Sequence, residues 1–223
     1  MLQVIYIDHM GSDLSVVNSA RVSFDVNKWE SKSLTKADKR LIAYLAKHRH
    51  MSPFGHCFAS FKVQAPIFVA RQLVKHKFLR WNELSRRYVD TTPNWYRPST
   101  SNPDSAIWRS QTKDKKQGSG DVIQDETKQS LATYYLSDVI AESMGAYEKL
   151  LSMGICEEQA RMVLPLCHMT EWFWSGSLDA FADMCILRCA KDAQVETKMV
   201  ADQISDKMGK LFPISWRELM RWH

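Results

Sequence analysis

The stretch Cys57-Phe58-Ala59-Ser60-Phe61-Lys62-Val63-Gln64-Ala65-Pro66-Ile67-Phe68-Val69-Ala70-Arg71-Gln72-Leu73-Val74-Lys75 changes period once, and that change decides the fold. From Cys57 to Gln64 the pattern alternates, with Cys57, Ala59, Phe61 and Val63 on one side and Phe58, Ser60, Lys62 and Gln64 on the other. A period of two with one apolar face predicts a strand packed on a core. Pro66 stands where a first helical residue would, so Ile67 to Lys75 reads as a helix. Gln72, Lys75 and His76 are then spaced i, i+3 and i+4 and share a helix face, with Arg71 adjoining it. Beyond the helix, Lys75-His76-Lys77, Arg80 and Arg86-Arg87 bring cations together with Glu83, Ser85 and Tyr88. Cations held by a core element suit phosphate better than a mobile tail does, and the added acceptor, hydroxyl and ring fit a nucleotide pocket.

Toward the N-terminus, Leu2 to Ile7 predicts a strand stopped by Asp8-His9-Met10-Gly11, and Ser12 or Asp13 caps a short helix through Ala20. Thr35 and Asp38 form a capping-box pattern, opening a helix with Leu41, Leu45 and His48 at core-facing spacing. His48-Arg49-His50-Met51-Ser52-Pro53-Phe54-Gly55-His56 holds three histidines, but no nearby carboxylate completes a metal set, and a ligand-facing loop or strand entrance is the better reading. Toward the C-terminus, periodicity disappears from Thr91 to Gln129, and 110–120, without an apolar residue, is expected to be mobile. Trp95, Tyr96 and Trp108 there are either covers for a planar ligand or loop anchors.

The remainder reads as helical. One helix carries Ile140, Met144, Tyr147 and Leu151 and closes near Gly154. A second spans Glu157 to Trp174, bent at Pro165, a third Leu178 to Cys189, and a fourth carries Val195, Met199, Ile204, Met208 and Leu211. Arg161 and Arg188 sit in apolar surroundings, where burial requires a partner, either a ligand anion or a structural carboxylate.

At 223 residues, with 45% hydrophobic and 25% charged residues, the chain reads as one domain, 1–223, large enough for a sizeable core. A net charge of +5 is compatible with an anionic ligand and does not by itself call for DNA. No apolar run approaches a membrane span, and Met1-Leu2-Gln3-Val4 lacks the start of a signal peptide, so the expected location is cytoplasmic. Cys57, Cys156, Cys167, Cys185 and Cys189 are odd in number and form no CxxC pair. Buried reduced thiols are expected, with no disulfide frame and no metal.

Together these pieces resemble a known family, the flavin-dependent thymidylate synthases. Lys75-His76-Lys77, seven residues and Ser85 is similar to that family's Arg-His-Arg, seven residues, Ser signature. Ala20-Arg21-Val22-Ser23-Phe24, Ser52-Pro53-Phe54-Gly55-His56, Ala65 to Gln72, Asn82 to Tyr88, Ala160 to Pro165 and Leu187-Arg188 with Ala193-Gln194 resemble further family blocks, in family order. The resemblance implies an α+β fold, a mainly antiparallel sheet flanked by helices. It implies reductive methylation of dUMP to dTMP with methylenetetrahydrofolate as carbon donor, NADPH as electron source and FAD as bound cofactor. It also implies a homotetramer with active sites between subunits, and neither a membrane nor a nucleic-acid partner. For dUMP it points to Gln72, Leu73, Val74, Lys75, Glu83, Leu84, Ser85, Arg86, Arg87, Arg161 and Arg188. For FAD it points to His50, Ser52, Lys75, His76, Lys77, Glu83, Ser177, Asp179 and Asp183. Arg188 takes the catalytic role, favouring the ionised N3 of uracil so that C5 becomes nucleophilic, and this requires no cysteine.

The sequence departs from the family at several of these positions. Lysine replaces arginine at 75 and 77, exchanging a planar fork for a point charge. Ser177, Asp179, Asp183 and Asp192 stand where relatives commonly have Asn, Arg, Asn and His, so the acidic changes weaken the expected flavin edge unless Lys191 or Lys198 compensates. The segment 94–129 is longer than usual, and divergence of this kind is common in phage and viral genomes, which would make the location a host's cytoplasm. Two alternatives stay open: RNA or single-strand binding through basic residues interleaved with Phe78, Trp81 and Tyr88, or a nucleotide- and flavin-binding relative without activity.

Overall fold

The computed structural model describes residues 2–23, 33–85, 94–98, 107–112 and 118–222. In chain order its elements are β1 (Gln3–Met10), α1 (Asp13–Arg21), α2 (Lys36–Lys47), β2 (Phe58–Pro66), α3 (Ile67–Leu73) and β3 (Arg80–Glu83). Then follow α4 (Glu126–Ser152), α5 (Glu157–Ala160), β4 (Met169–Ser177), α6 (Leu178–Arg188), α7 (Val195–Leu211) and α8 (Pro213–Arg221). The four strands form one antiparallel sheet ordered β1-β2-β4-β3, and the fold is α+β as expected.

Strand β2 lies in the sheet interior, with Phe58 opposite Ser177 and Pro66 opposite Met169 on β4. Its predicted alternation is observed: Ala59, Phe61, Val63 and Ala65 are buried and the intervening side chains half-buried. Phe61, Val63, Trp172 and Trp174 from the sheet meet Phe181 and Met184 of α6 and Val200, Ile204 and Met208 of α7 in the main core. The opposite sheet face is mixed: Lys62 pairs with Glu171 at 2.9 Å and Ser60 bonds to Ser175 at 2.8 Å, beside exposed Ile5 and Phe173.

Several expectations are corrected. The expected helix from Glu157 to Trp174 exists only as α5 and a 3₁₀ turn at Arg161–Val163; after Pro165 the chain becomes β4. There Thr170, Trp172, Trp174 and Gly176 are buried with period two, and bulky aromatics fit a pleated surface better than a crowded helical one. Arg80 to Glu83 forms strand β3, anchored because Trp81 stacks on Trp172 at 4.3 Å. Helix α3 ends at Leu73 rather than Lys75, so Lys75 and His76 lie beyond its regular face. His48 is exposed at the end of α2 while Ile42, Leu45 and Ala46 face the core. Helix α4 starts at Glu126, well before the first apolar marker, because only Ile140 and Tyr147 of its 27 residues are buried. Helix α8 had no counterpart in the sequence reading.

Two caps tie the ends of this architecture. The Thr35–Asp38 box forms, with Asp38 N–H donating to Thr35 Oγ1 at 3.2 Å and Thr35 N–H to Asp38 Oδ2 at 2.8 Å. The buried Asp13 carboxylate accepts from the N–H groups of Ile214 (3.0 Å) and Ser215 (2.8 Å), capping α8 from a distant part of the chain. Of the segment 110–120, residues 110–112 and 118–120 are described; Ser110 N–H donates to the carbonyl of Asp121 and Gly120 N–H to that of Ser110.

Candidate active site

Helix α6 leaves the central strand β4 without a break, and its last residue, Arg188, reaches the turn that follows α3. Arg188 Nε donates to His76 Nε2 at 3.2 Å, and Nη2 donates to the Gln72 carbonyl at 3.2 Å. Among the described residues no carboxylate forms a salt bridge with it, and the group is half-buried rather than fully enclosed. Burial, followed by the positive charge of Arg188, pushes the His76 imidazole down to about 4. His76 is therefore neutral at physiological pH and serves Arg188 as an acceptor. The turn carrying His76 can sit here because Gly176 has no side chain: a Cβ would lie 2.2 Å from Leu79 Cδ2.

Gln72 is fixed from the other side. Its amide donates to Gln194 Oε1 and its Oε1 accepts from Thr197 Oγ1 at 3.3 Å. Gln72, Arg188, Gln194, Glu196 and Asp192 line a cavity of about 540 Å³, which Trp108 and Arg109 also enclose. A second cavity of about 410 Å³ is lined by Glu83, Leu84, Ser85, Arg161, His168 and Thr170. In it Glu83 accepts from Trp81 Nε1 (3.1 Å) and Thr170 Oγ1 (2.8 Å), which hold the carboxylate in place. Arg161 is exposed, with Nε donating to the Glu158 carbonyl at 3.3 Å, so the expected burial in apolar surroundings does not occur.

The residues expected to bind nucleotide thus divide between two cavities of one chain. Gln72 and Arg188 line the first, while Glu83, Leu84, Ser85 and Arg161 line the second. Leu73 is buried in the core, and Val74 and Lys75 are exposed on the turn. Arg86 and Arg87 lie outside the described residues, as does Tyr88. Trp81 is committed to its stack with Trp172, which removes one of the rings that base stacking would require.

The expected flavin contacts also separate. His50 and Ser52 are exposed on the loop before β2, and this loop meets the first turns of α6, where Arg49 Nη2 lies 3.8 Å from Asp183 Oδ1. Ser177 precedes the helix without a side-chain capping bond, and Asp179 Oδ1 is buried without a hydrogen-bond partner. An orphaned acceptor beside free helix N–H groups fits the hydroxyl- and amine-bearing end of a dinucleotide, and Arg49 offsets one of the two acidic residues there. His76 and the exposed Lys77 are near the far end of α6, and Asp192 lines the Arg188 cavity rather than the Asp179 edge.

Sequence reasoning assigned no role to Gln194, Thr197, Thr170, Glu196 or Arg109. Gln194 stood in a recognised block but its partner, Gln72, is 122 residues away. Trp95 and Tyr96 prove to be loop anchors: Trp95 bridges to His168, and Tyr96 is buried with its hydroxyl on Glu196 at 3.4 Å.

Residues 6–214 match the family described as thymidylate synthase complementing protein. A flavin-dependent thymidylate synthase of Thermus thermophilus is 38% identical over 210 residues, covering 94% of this chain and 72% of that protein. Its counterpart in Kosmotoga olearia is 33% identical, covering 97% and 89%. Among solved structures, the UMP/dUMP methylase PolB from Streptomyces cacaoi, bound with 5-Br dUMP, superposes with a TM-score of 0.87 at 28% identity, covering 100% of this chain and 96% of that one. The chain is an enzyme and belongs to the thymidylate synthase complementing protein family, that of the flavin-dependent thymidylate synthases.

Proposed function

We propose that this enzyme methylates dUMP to dTMP, with methylenetetrahydrofolate providing the carbon, NADPH the electrons and FAD the bound redox centre. The observation that carries the reading is Arg188, a guanidinium with no carboxylate partner among the described residues, held by neutral His76 and the Gln72 carbonyl at the wall of a nucleotide-sized cavity. Two of its nitrogens are spent on orientation, and the rest of the fork remains for the uracil edge. A fixed positive charge there favours loss of the N3 proton and raises electron density at C5, where the new carbon attaches. Gln72, tied to Gln194 and Thr197, positions the ring, while Lys75, Ser85, Arg86 and Arg87 are assigned the phosphate and sugar.

His50, Ser52, Ser177, Asp179 and Asp183 would hold one end of FAD and His76, Lys77 and Glu83 the other, and when bound FAD supplies hydride chemistry. The division of nucleotide residues between two cavities supports a homotetramer in which one subunit's Gln72–Arg188 cavity faces a neighbour's Glu83–Ser85 cavity. The test is complementation. Arg188→Ala and Ser85→Ala proteins, each assayed with FAD, dUMP, methylenetetrahydrofolate and NADPH, should make little dTMP alone and regain activity when co-assembled. Loss of activity in both with no recovery in mixed tetramers would refute shared sites.

A further inference from the structure

Part of the wall of the Gln72–Arg188 cavity comes from segments 107–112 and 118–123. The two segments are paired antiparallel, with Ser110 N–H on the carbonyl of Asp121 (2.9 Å), Gly120 N–H on Ser110 (2.8 Å) and Ile123 N–H on Trp108 (3.1 Å). The pair is anchored to α4, because Trp108 Nε1 donates to Thr133 Oγ1 at 2.9 Å and Gln129 Nε2 to the carbonyls of Trp108 and Ile123 at 3.0 and 2.8 Å. It also packs against the connection from α6 to α7: at Gly118, φ is +84° and a Cβ would lie 3.1 Å from the Asp192 carbonyl. This is a built wall, and it carries Arg109.

Arg109, exposed at the rim of the cavity it lines, donates from Nε to Ser119 Oγ at 2.8 Å, which orients the guanidinium. Among the described residues no carboxylate forms a salt bridge with Arg109 or with Arg188. Two guanidiniums without carboxylate partners therefore line one cavity of about 540 Å³. Asp192 and Glu196 line it as well, and Glu196 already accepts from the Tyr96 hydroxyl, so the favourable position for an anion is on the Arg109–Ser119 side. A planar guanidinium fork matches phosphate oxygens.

We propose that Arg109 is a further substrate-binding residue that grips the phosphate of the pyrimidine nucleotide in the cavity it shares with Arg188. The proposal rests on the nucleotide reading of that cavity. It makes the paired segments 107–112 and 118–123 part of the binding site rather than surface decoration.

The test compares dUMP with deoxyuridine, which lacks the phosphate, on flavin-loaded wild-type, Arg109→Gln and Arg109→Lys enzyme by calorimetry at two salt concentrations. Losing a charge-assisted contact should weaken dUMP binding about 10- to 100-fold in Arg109→Gln. Deoxyuridine binding should stay within about twofold, and the salt dependence of dUMP binding should become shallower. Arg109→Lys should fall between, because it keeps charge and loses the fork. Equal weakening of both ligands would mark Arg109 as a packing residue and overturn the proposal, as would unchanged dUMP affinity. If Arg109→Gln does not fold, the same comparison on Arg109→Lys decides. Failure of the wild-type enzyme itself to bind dUMP would instead overturn the nucleotide reading, and with it this proposal.

Discussion

Replacing His76 with glutamine should flatten the response of this protein to mild acid. In the folded state the imidazole is pushed from 6.5 to about 4, first by burial and then by the Arg188 charge. Above the unfolded value both states are neutral, and the stability associated with this group is fully present. Between 6.5 and about 4 the unfolded chain binds a proton that the folded one refuses, so stability falls as pH falls through that window. Full burial would set the loss at about 3 kcal/mol, and a half-buried ring partly screened by water reduces that to about 1–2 kcal/mol. Glutamine keeps an acceptor for Arg188 Nε but cannot titrate. Urea midpoints at pH 7.5, 6 and 5, with m-values checked for constancy, should show wild type losing about 0.5–1 kcal/mol more than His76→Gln, since pH 5 lies only part of the way through the window. If the two proteins lose stability in parallel from pH 7.5 to 5, His76 is not held neutral by the fold. A charged His76 would also present an N–H to Arg188 instead of a lone pair, so turnover should decline through the same window in wild type.

Arg188→Ala should lower single-turnover dTMP formation by about 10²–10³, the usual cost of one preorganised electrostatic contact, while flavin loading and melting temperature change little. A folded, flavin-loaded variant with near-normal turnover would remove Arg188 from the chemistry. Asp13→Ala strips the Ile214 and Ser215 N–H groups of their acceptor and should cost about 1–2 kcal/mol in chemical denaturation, with Asp13→Asn recovering part of the loss.

Much of the fold was legible because its elements follow simple rules. The alternation of β2, the apolar stripe of α7 and the Thr35–Asp38 box are local signals, and each is found close to where the sequence places it. β4 escaped because Pro165 lies within an apolar, aromatic run that reads equally well with either period until its pairing with β2 is known. α4 escaped in part because a helix burying only Ile140 and Tyr147 has no stripe to find before those residues. In the site, the residue types were legible through the family blocks, but their partners were not. Gln72 meets Gln194 and Thr197, and Glu83 meets Thr170, across separations of 122, 125 and 87 residues. No local periodicity carries information over such distances.

The cap that Asp13 places on α8 has a consequence for how the chain reaches this state. Ser215 and Asp13 are 202 residues apart, and Val4 N–H donates to Gln203 Oε1 across a separation of 199. Closing loops of that length must precede any reward from the contacts they make. During synthesis β1 and α1 emerge long before α7 and α8 exist, and at about 5–20 residues per second that delay is on the order of 10–40 seconds. For that interval the apolar side chains of α1, Val16, Val17 and Ala20, lack part of their final surroundings. A nascent chain stalled before α7 should therefore be bound by chaperones and cut readily in its first twenty residues, and should gain protection only once Asp13 and Ser215 can meet.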